Sequence, residues 1–195
     1  MTEFERLQVA ARAGDVEAQY KLGMTYDNGE GVKRDPVAAA NWYRFAAEQG
    51  YELAQLHLGL MLNTGDTAFE RDDADAARWF LKAAEQGLAD AQFNLALMHY
   101  NAEGIEQDDR AAFRWFEAAA RQGHAKAQFN LGALYANGHG VEKDNTEAYK
   151  WWLLAVMQGD FNANENIETI REQLSAEEVE SAQVAVVDWF NAFHE

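Results

Sequence analysis

Tryptophan recurs along the chain at a nearly constant interval, and this period limits the fold more than any other feature. Successive members of the series lie 37, 36 and 36 positions apart, at Trp42, Trp79, Trp115 and Trp151. A glycine follows each tryptophan by eight positions, at Gly50, Gly87, Gly123 and Gly159. A period of roughly 20 to 50 residues indicates a repeat array, in which each unit buries its apolar face against the next.

Each unit is predicted to form two helices joined by a turn. In the first unit Ala18, Leu22 and Tyr26 are spaced i, i+4, i+8, which is typical of one apolar helix stripe. The segment Gly29-Glu30-Gly31 then predicts a tight turn with positive φ. An aspartate stands where the second helix needs its N-cap, at Asp35, Asp72, Asp108 and Asp144.

The second helix of each unit is predicted to carry the core tryptophan. In the first unit Ala39, Trp42, Phe45 and Ala46 are expected on one buried face. Glycine also recurs in the middle of the first helices, at Gly23, Gly59 and Gly132. A glycine there costs about 1 kcal/mol relative to alanine, which is tolerated where another helix must approach closely. We therefore expect close packing at these three positions.

Both ends of the chain are predicted to close the array. Residues 3–13 have the pattern of a lone second helix, and residues 162–173 that of a lone first helix. Ser175-Ala176-Glu177-Glu178 forms a capping box that starts a last helix. Its apolar residues follow a helical period, at Val179, Ala182, Val186, Trp189 and Phe193. Terminal units of a repeat array need such caps to cover the exposed core.

The segments LGMTYDNGEGVKRDPVAAANWYRFAAEQG and LGALYANGHGVEKDNTEAYKWWLLAVMQGD resemble Sel-one-like repeats (SLR), a family related to the tetratricopeptide repeat. The resemblance covers residues 15–159. It implies an all-α fold, a right-handed α-α superhelix of four helix pairs with capping helices at both ends. One continuous domain is expected, with a capping helix over 1–14, repeats over 15–50, 51–87, 88–123 and 124–159, and C-terminal capping helices over 160–195.

Residue usage argues against several kinds of chemistry. The chain has no cysteine, which excludes thiol catalysis and cysteine-based metal sites. Its two serines, Ser175 and Ser181, lie in the predicted C-terminal cap, and its five histidines do not show zinc-binding spacing. We therefore expect no catalytic residue, no metal site and no cofactor.

The formal net charge of −17 makes nucleic acid and anionic membranes poor partners. No segment approaches 18 uncharged apolar residues, so no membrane span is predicted. The first residues contain acids and no continuous apolar run, unlike a signal peptide. Together with the absence of cysteine, this favours a cytoplasmic protein.

Resemblance to tetratricopeptide arrays implies that the first helices line a concave groove. The groove-facing residues expected there are Tyr20, Lys21, Leu53, Leu56, His57, Leu60, Phe93, Asn94, Leu97, Lys126, Phe129, Asn130 and Asn166. Asn94, Asn130 and Asn166 occupy one register, and their carboxamides could bond to an extended peptide backbone. Leu53, Leu56 and Leu60 belong to a helix that is apolar on nearly all sides and that needs a cover.

These features favour a non-catalytic scaffold that binds a peptide or helix of another protein in its groove. One alternative is a homo-oligomeric structural module, such as a dimer, that pairs through Trp189 and Phe193 or through the leucine-rich groove. Another is a hydrolase or β-lactam-binding activity, which the resemblance to secreted SLR proteins raises. Those proteins carry a cysteine pair in each repeat, which this chain lacks.

Overall fold

The computed structural model describes residues 2–65 and 70–194, and eleven α-helices make up most of them. The helices are α1 (Glu3–Arg12), α2 (Val16–Asn28), α3 (Pro36–Glu48), α4 (Glu52–Thr64), α5 (Asp73–Glu85), α6 (Ala89–Asn101), α7 (Asp109–Arg121), α8 (Ala125–Asn137), α9 (Asn145–Met157), α10 (Asn164–Arg171) and α11 (Ala176–His194). A short 3₁₀ turn, Phe161–Ala163, precedes α10. The all-α fold class predicted from the sequence is confirmed.

The chain divides into two compact units. The N-terminal unit comprises the described residues up to Ala91 together with residues 103–105. Within it α2 packs against α3, α4 packs against α5, and α1 covers α2. The C-terminal unit comprises residues 92–102 and the described residues from Glu106 onward. Within it α8 packs against α7 and α9, and α10 and α11 cover α9.

The predicted caps are present at the second helices. The side chain of each predicted N-cap aspartate accepts a hydrogen bond from the backbone N–H three residues further on, with distances of 3.0 Å at Asp35, 2.9 Å at Asp72, 2.9 Å at Asp108 and 3.0 Å at Asp144. The predicted capping box also forms before α11, where the backbone N–H of Glu178 donates to Ser175 Oγ. A second capping box, Thr2 with Glu5, starts α1 and was not expected from the sequence.

The buried face of the second helices differs from the prediction by one position. In α3 the buried side chains are Ala39, Tyr43, Ala46 and Ala47, which follow i, i+4, i+7, i+8. This stripe places Trp42 at its half-buried edge and leaves Phe45 51% exposed, so the expectation for Phe45 was wrong. The residue after each repeated tryptophan is the constant core aromatic, at Tyr43, Phe80, Phe116 and Trp152. Trp79 and Trp151 are buried as predicted, whereas Trp115 is half-buried.

These core aromatic rings explain the glycines within the first helices. A Cβ atom added to Gly23 would lie 2.6 Å from the ring of Tyr43. The corresponding distances are 2.7 Å from Gly59 to Phe80 and 2.7 Å from Gly132 to Trp152. Such separations are too short for two carbon atoms, so only glycine lets the ring lie flat on the helix backbone. The predicted close packing is therefore confirmed, with an aromatic ring as the neighbour.

In the turn between the two helices of a repeat, a glycine lies close to the backbone of the preceding repeat. Gly140 has a φ of +71°, and a Cβ atom there would overlap the backbone of Asp109. In the N-terminal unit, Gly104 lies against the backbone of Asp73 in the same way. The second glycine of the turn is thus required both for its left-handed backbone and for contact with the start of the preceding second helix.

Each repeat contains one buried glutamine that hydrogen-bonds to neighbouring helices. Gln19, Gln55, Gln92 and Gln128 are all buried near the start of a first helix. The Nε2 atom of Gln55 donates to the carbonyl of Ala47 at 3.1 Å, and its Oε1 atom accepts from Gln86 at 2.8 Å. Gln19 makes the equivalent pair of bonds to Ala11 and Gln49. Gln19 and Gln55 therefore satisfy their buried carboxamides by bonding to two neighbouring helices. Gln128 donates to the carbonyl of Ala120, but its buried Oε1 atom has no hydrogen-bond partner among the described residues.

Candidate binding surface

In the N-terminal unit, α2 and α4 carry six of the residues predicted to face a partner. Leu53, His57 and Leu60 are half-buried, and Lys21 is exposed with an ion pair to Glu17 at 3.3 Å. Tyr20 and Leu56 are nearly covered, at 9% and 5% exposure. The structure thus leaves Lys21, Leu53, His57 and Leu60 as the members with free side-chain surface.

The aromatic rings around His57 form a cluster under this surface. Tyr20 lies 5.0 Å from Tyr51, 5.5 Å from His57 and 5.8 Å from Tyr43, measured between ring centroids. Burial raises the pKa of Tyr20, and the neighbouring Tyr51 adds to this shift. Burial, followed by Asp27 and Tyr20, raises the pKa of Tyr43 far above its usual value. Both hydroxyls therefore remain protonated and neutral near neutral pH.

His57 and Leu60 lie together at a cavity of about 240 Å³. The Nδ1 atom of His57 is 2.8 Å from the carbonyl oxygen of Leu53, so Nδ1 carries the proton and donates. Asp27 and Arg34 also line the cavity and approach each other to 3.7 Å. The cavity therefore combines one charged pair, an imidazole and apolar wall residues from α4.

In the C-terminal unit, the three helices α6, α8 and α10 carry the other seven predicted residues. Phe93, Asn94, Leu97, Phe129, Asn130 and Asn166 are half-buried, and Lys126 is exposed. Phe93 stacks on His124 with ring centroids 4.6 Å apart, and it lies 5.9 Å from the core ring of Phe116. Phe129 packs against the core of this unit, and its carbonyl accepts from Trp152 Nε1 at 3.0 Å. The aromatic members therefore expose only part of each ring.

The asparagines of the predicted register differ in how much hydrogen-bonding capacity they retain. Asn130 Nδ2 donates to the carbonyl of Lys126 at 2.8 Å, which leaves its Oδ1 and one N–H for a ligand. The side chain of Asn166 makes no hydrogen bond within the part of the chain that the structure describes. A side-chain bond back into the helix was not visible in the sequence, because it depends on the rotamer.

The two aromatic residues proposed for a dimer contact are partly used within the chain. Trp189 and Phe193 stack with centroids 4.6 Å apart and planes 13° apart. A Cβ atom on Gly123 would lie 2.6 Å from the Phe193 ring, so this ring covers the glycine. Phe193 nevertheless remains 44% exposed, and Val184 and Val187 on α11 are 54% and 56% exposed.

Three further features of the described residues concern metal sites, serine nucleophiles and membrane-spanning helices. Among residues 2–65 and 70–194 no cluster of three or more histidine, aspartate or glutamate side chains is arranged to hold a metal ion. Ser175 Oγ donates to Glu178 Oε2 at 2.8 Å as part of the helix cap. No helix in the described ranges is long and apolar enough to cross a membrane.

Repeated helix pairs with buried glutamine connections and partly exposed first helices define an α-helical repeat protein. Within that class the chain belongs to the Sel1 repeat family, whose model matches residues 16–51, 53–88, 89–124 and 125–160. The resemblance to SLR proteins is thereby confirmed. Proteins of this family are generally protein-interaction scaffolds, and the fold is typically non-catalytic.

Solved structures of two bacterial proteins have the same fold. A protective antigen of uropathogenic Escherichia coli with an SLR fold is 32% identical, with a TM-score of 0.86. The match covers 97% of this chain and 41% of the antigen. A Sel1 repeat protein from Oxalobacter formigenes is 32% identical with a TM-score of 0.75, over 80% of this chain and 63% of that protein.

Chitin synthase regulatory factor 3 of Schizosaccharomyces pombe is 45% identical over 49 residues. This match covers 25% of the present chain and 5% of the yeast protein. The similarity is therefore limited to little more than one repeat.

Proposed function

We propose that this protein is a non-catalytic scaffold that binds a peptide or helix of another protein on the exposed faces of its first helices. The observation that carries this proposal is the surface of α4. Leu53, Leu60 and Met61 remain half-buried there, beside the open cavity at His57. Partly exposed apolar side chains next to a cavity with a few polar groups are typical of protein-recognition surfaces.

A comparison of two double variants tests this proposal. Leu60→Ser with Asn130→Ala alters the first helices, whereas Leu81→Ser with Asn41→Ala makes the same changes on second helices. Leu81 is 39% exposed and Asn41 is exposed, so both control changes should preserve the fold. Each variant is checked by circular dichroism and thermal unfolding before use.

The readout is the set of proteins that co-purify from cells of the source organism, quantified by mass spectrometry. The first-helix variant is expected to lose its specific partner at least about tenfold, since hot-spot side chains contribute 1.4 kcal/mol or more. The control variant should retain the partner. Equal recovery by both folded variants would rule out the first helices as the binding surface.

Pairing of two copies through α11 is a second candidate function. Val184 and Val187 are both more than half exposed on this helix. Two exposed valines three positions apart on a helix suit an isologous contact between copies. Light scattering should then show a dimer that Val184→Glu with Val187→Glu converts to a monomer. A wild-type monomer of 21.9 kDa at high concentration would exclude this role.

A further inference from the structure

A second cavity, of about 350 Å³, lies in the C-terminal unit. It is lined by residues of α8, α9 and α10, by Lys143 in the turn before α9, and by Gln173 just after α10. Of the residues predicted to face a partner, only Asn166 lines it. The cavity is therefore a separate feature with its own chemistry.

One wall of the cavity is formed by α10 and the residues just after it, and this segment presents neutral side chains to the cavity and acidic ones to solvent. Asn166, Thr169, Ile170 and Gln173 line the cavity and follow i, i+3, i+4, i+7. The acids of the same segment, Glu165, Glu168 and Glu172, are exposed and do not line it. No carboxylate from the described part of the chain lines this cavity, although the whole sequence has a formal charge of −17. Its wall is thus suited to an anionic group.

One cation lies at the cavity. Lys143 is exposed, and no ion pair joins it to a carboxylate within the described residues. The next residue, Asp144, directs its carboxylate to the backbone N–H groups of Thr146 and Glu147, where it caps α9. Because a lysine ammonium is a compact charge on a flexible stem, Lys143 can reach a ligand carboxylate.

Existing hydrogen bonds determine which polar atoms remain for a ligand. Gln173 Oε1 accepts from Asn145 Nδ2 at 3.2 Å, so its Nε2 donor remains. Asn137 Nδ2 donates to the carbonyl of Ala133 at 2.9 Å, so its Oδ1 acceptor remains. Asn166 keeps both its amide donor and its oxygen. The wall thus offers several donors and an acceptor, as a peptide end requires.

The rest of the cavity is apolar. Ala133, Ala136, Trp152 and Ile170 complete the lining. Trp152 is only 5% exposed and its indole N–H is already bonded to the Phe129 carbonyl, so no donor of this ring remains for a ligand. This part of the wall suits an aliphatic side chain of moderate size.

We propose that this cavity binds a carboxylate-bearing peptide segment of the partner. The carboxylate pairs with Lys143 and accepts N–H groups of Gln173 and Asn166, and a peptide N–H donates to Asn137 Oδ1. An adjacent aliphatic side chain contacts Ile170 and the two alanines. This inference rests on the proposed scaffold function, and it adds the chemical class of the bound group.

Three small probes test the proposal by nuclear magnetic resonance of the isotope-labelled protein. N-acetyl-alanyl-leucine has a free terminal carboxylate, its leucinamide has none, and N-acetyl-aspartyl-leucinamide has a side-chain carboxylate. The side-chain amide signals of Asn166 and Gln173 should shift with both carboxylate probes, with a Kd at least about fivefold lower than for the neutral amide. Tighter binding of the first probe identifies a chain terminus, and equal binding identifies any acidic residue.

A matched pair of lysine variants completes the test. Lys143→Gln should raise the Kd of the carboxylate probes at least about fivefold, because it removes the one cation that the described residues contribute to the cavity wall. Lys82→Gln changes an exposed lysine on the second helix α5, which does not line this cavity, and should leave the Kd unchanged. Equal binding of the neutral amide, or no shift with either carboxylate, would overturn the inference. Such a failure leaves the Leu60 and Asn130 result unaffected, so the two proposals fail separately.

Discussion

Ala102 has a φ of +58° and is the one non-glycine residue with positive φ in the described parts of the chain. The same position of the first and last repeats is Gly29 and Gly138, each of which ends its helix in the left-handed conformation. An alanine in this conformation costs about 1 kcal/mol or more, because its Cβ atom crowds the following carbonyl. The turn of the third repeat therefore carries local strain that the others avoid.

Ala102→Gly is expected to stabilise the protein by about 0.5 to 1 kcal/mol, since relief of the strain outweighs the greater freedom of glycine in the unfolded chain. Urea unfolding followed by circular dichroism measures the change. The matched control is Ala118→Gly within α7, which should lower the free energy of unfolding by about 1 kcal/mol. A destabilised Ala102→Gly protein would show that the positive φ carries no strain.

Single residues also show where sequence reasoning succeeds and where it stops. The four aspartate caps and the close packing at Gly23, Gly59 and Gly132 were predicted, because each depends on local spacing and on the size of one residue. The exposure of Phe45 was not predicted, because a one-position error in a helical stripe rotates a side chain by about 100°. Similarly, the hydrogen bond from Asn130 Nδ2 to the Lys126 carbonyl depends on a side-chain rotamer, which the spacing of residues in the sequence does not reveal.

At the scale of helices, buried glutamines connect elements that apolar packing alone would hold less specifically. Gln55 is 3% exposed and bonds at once to the end of α3 and to the residue after α5. A buried carboxamide with both ends satisfied favours one register of the packed helices over others. The repeated glutamine was visible in the sequence, but its partners could not be assigned because they lie on other helices.

Gln55→Leu is expected to reduce the free energy of unfolding by about 1 to 3 kcal/mol, because the Ala47 carbonyl loses its donor in a buried site. Gln107→Leu removes one exposed side-chain hydrogen bond, to Asp109, and leaves no buried atom without a partner, so it should cost less, about 0.5 kcal/mol. Both values come from denaturant unfolding of the single variants. An equal cost for the two changes would contradict a special role for the buried partner.

The raised pKa values of three partly or fully buried tyrosines predict how the free energy of unfolding depends on pH in the alkaline range. Burial, with nearby acids, raises the pKa of Tyr135 to about 12, and burial also raises the pKa of Tyr20 and Tyr43 from the usual 10.0. The neutral forms are therefore favoured by folding. Their contribution is complete below about pH 10 and is lost as the pH rises through the folded-state pKa, because the unfolded chain ionises first.

The urea midpoint is accordingly expected to fall steeply above about pH 10, and Tyr43→Phe with Tyr135→Phe should reduce that fall. The matched control is Tyr100→Phe, a change at an exposed ring, which should leave the alkaline slope as in the parent protein. A double variant with the parent slope would show that these two hydroxyls do not control alkaline unfolding.

For the whole molecule, the excess of 33 acids over 16 lysines and arginines is the main electrostatic fact. The described ion pairs involve mostly exposed side chains, such as Lys21 with Glu17 and Arg121 with Glu117, and pairs of this kind contribute little. Repulsion among the remaining acids therefore opposes the compact state. The charge was fully known from the sequence, whereas the carboxylate-free wall of the second cavity required the folded arrangement of α8, α9 and α10.

Added salt is expected to raise the Tm by a few degrees, since the Debye length falls from about 30 Å at 0.01 M to about 3 Å at 1 M. Differential scanning calorimetry in sodium chloride measures the effect. A variant with Glu177→Gln, Glu180→Gln and Asp188→Asn on α11 should gain less from salt than the parent, because it carries fewer exposed acids. A Tm that falls with salt in the parent would mean that attractive pairs dominate.

The buried glutamines also have a consequence for how such a chain can change in length. Gln19, Gln55 and Gln128 donate to a carbonyl eight positions earlier. Gln19, Gln55 and Gln92 accept from a glutamine 30 or 31 positions later. Because these offsets recur, duplication of a whole 36-residue segment would place a new carboxamide at the same offsets from the partners that Gln19 and Gln55 have. Insertion of half a segment would leave such a carboxamide unmatched in the interior. Growth by gene duplication is therefore restricted to complete units, and an engineer who extends this protein faces the same restriction.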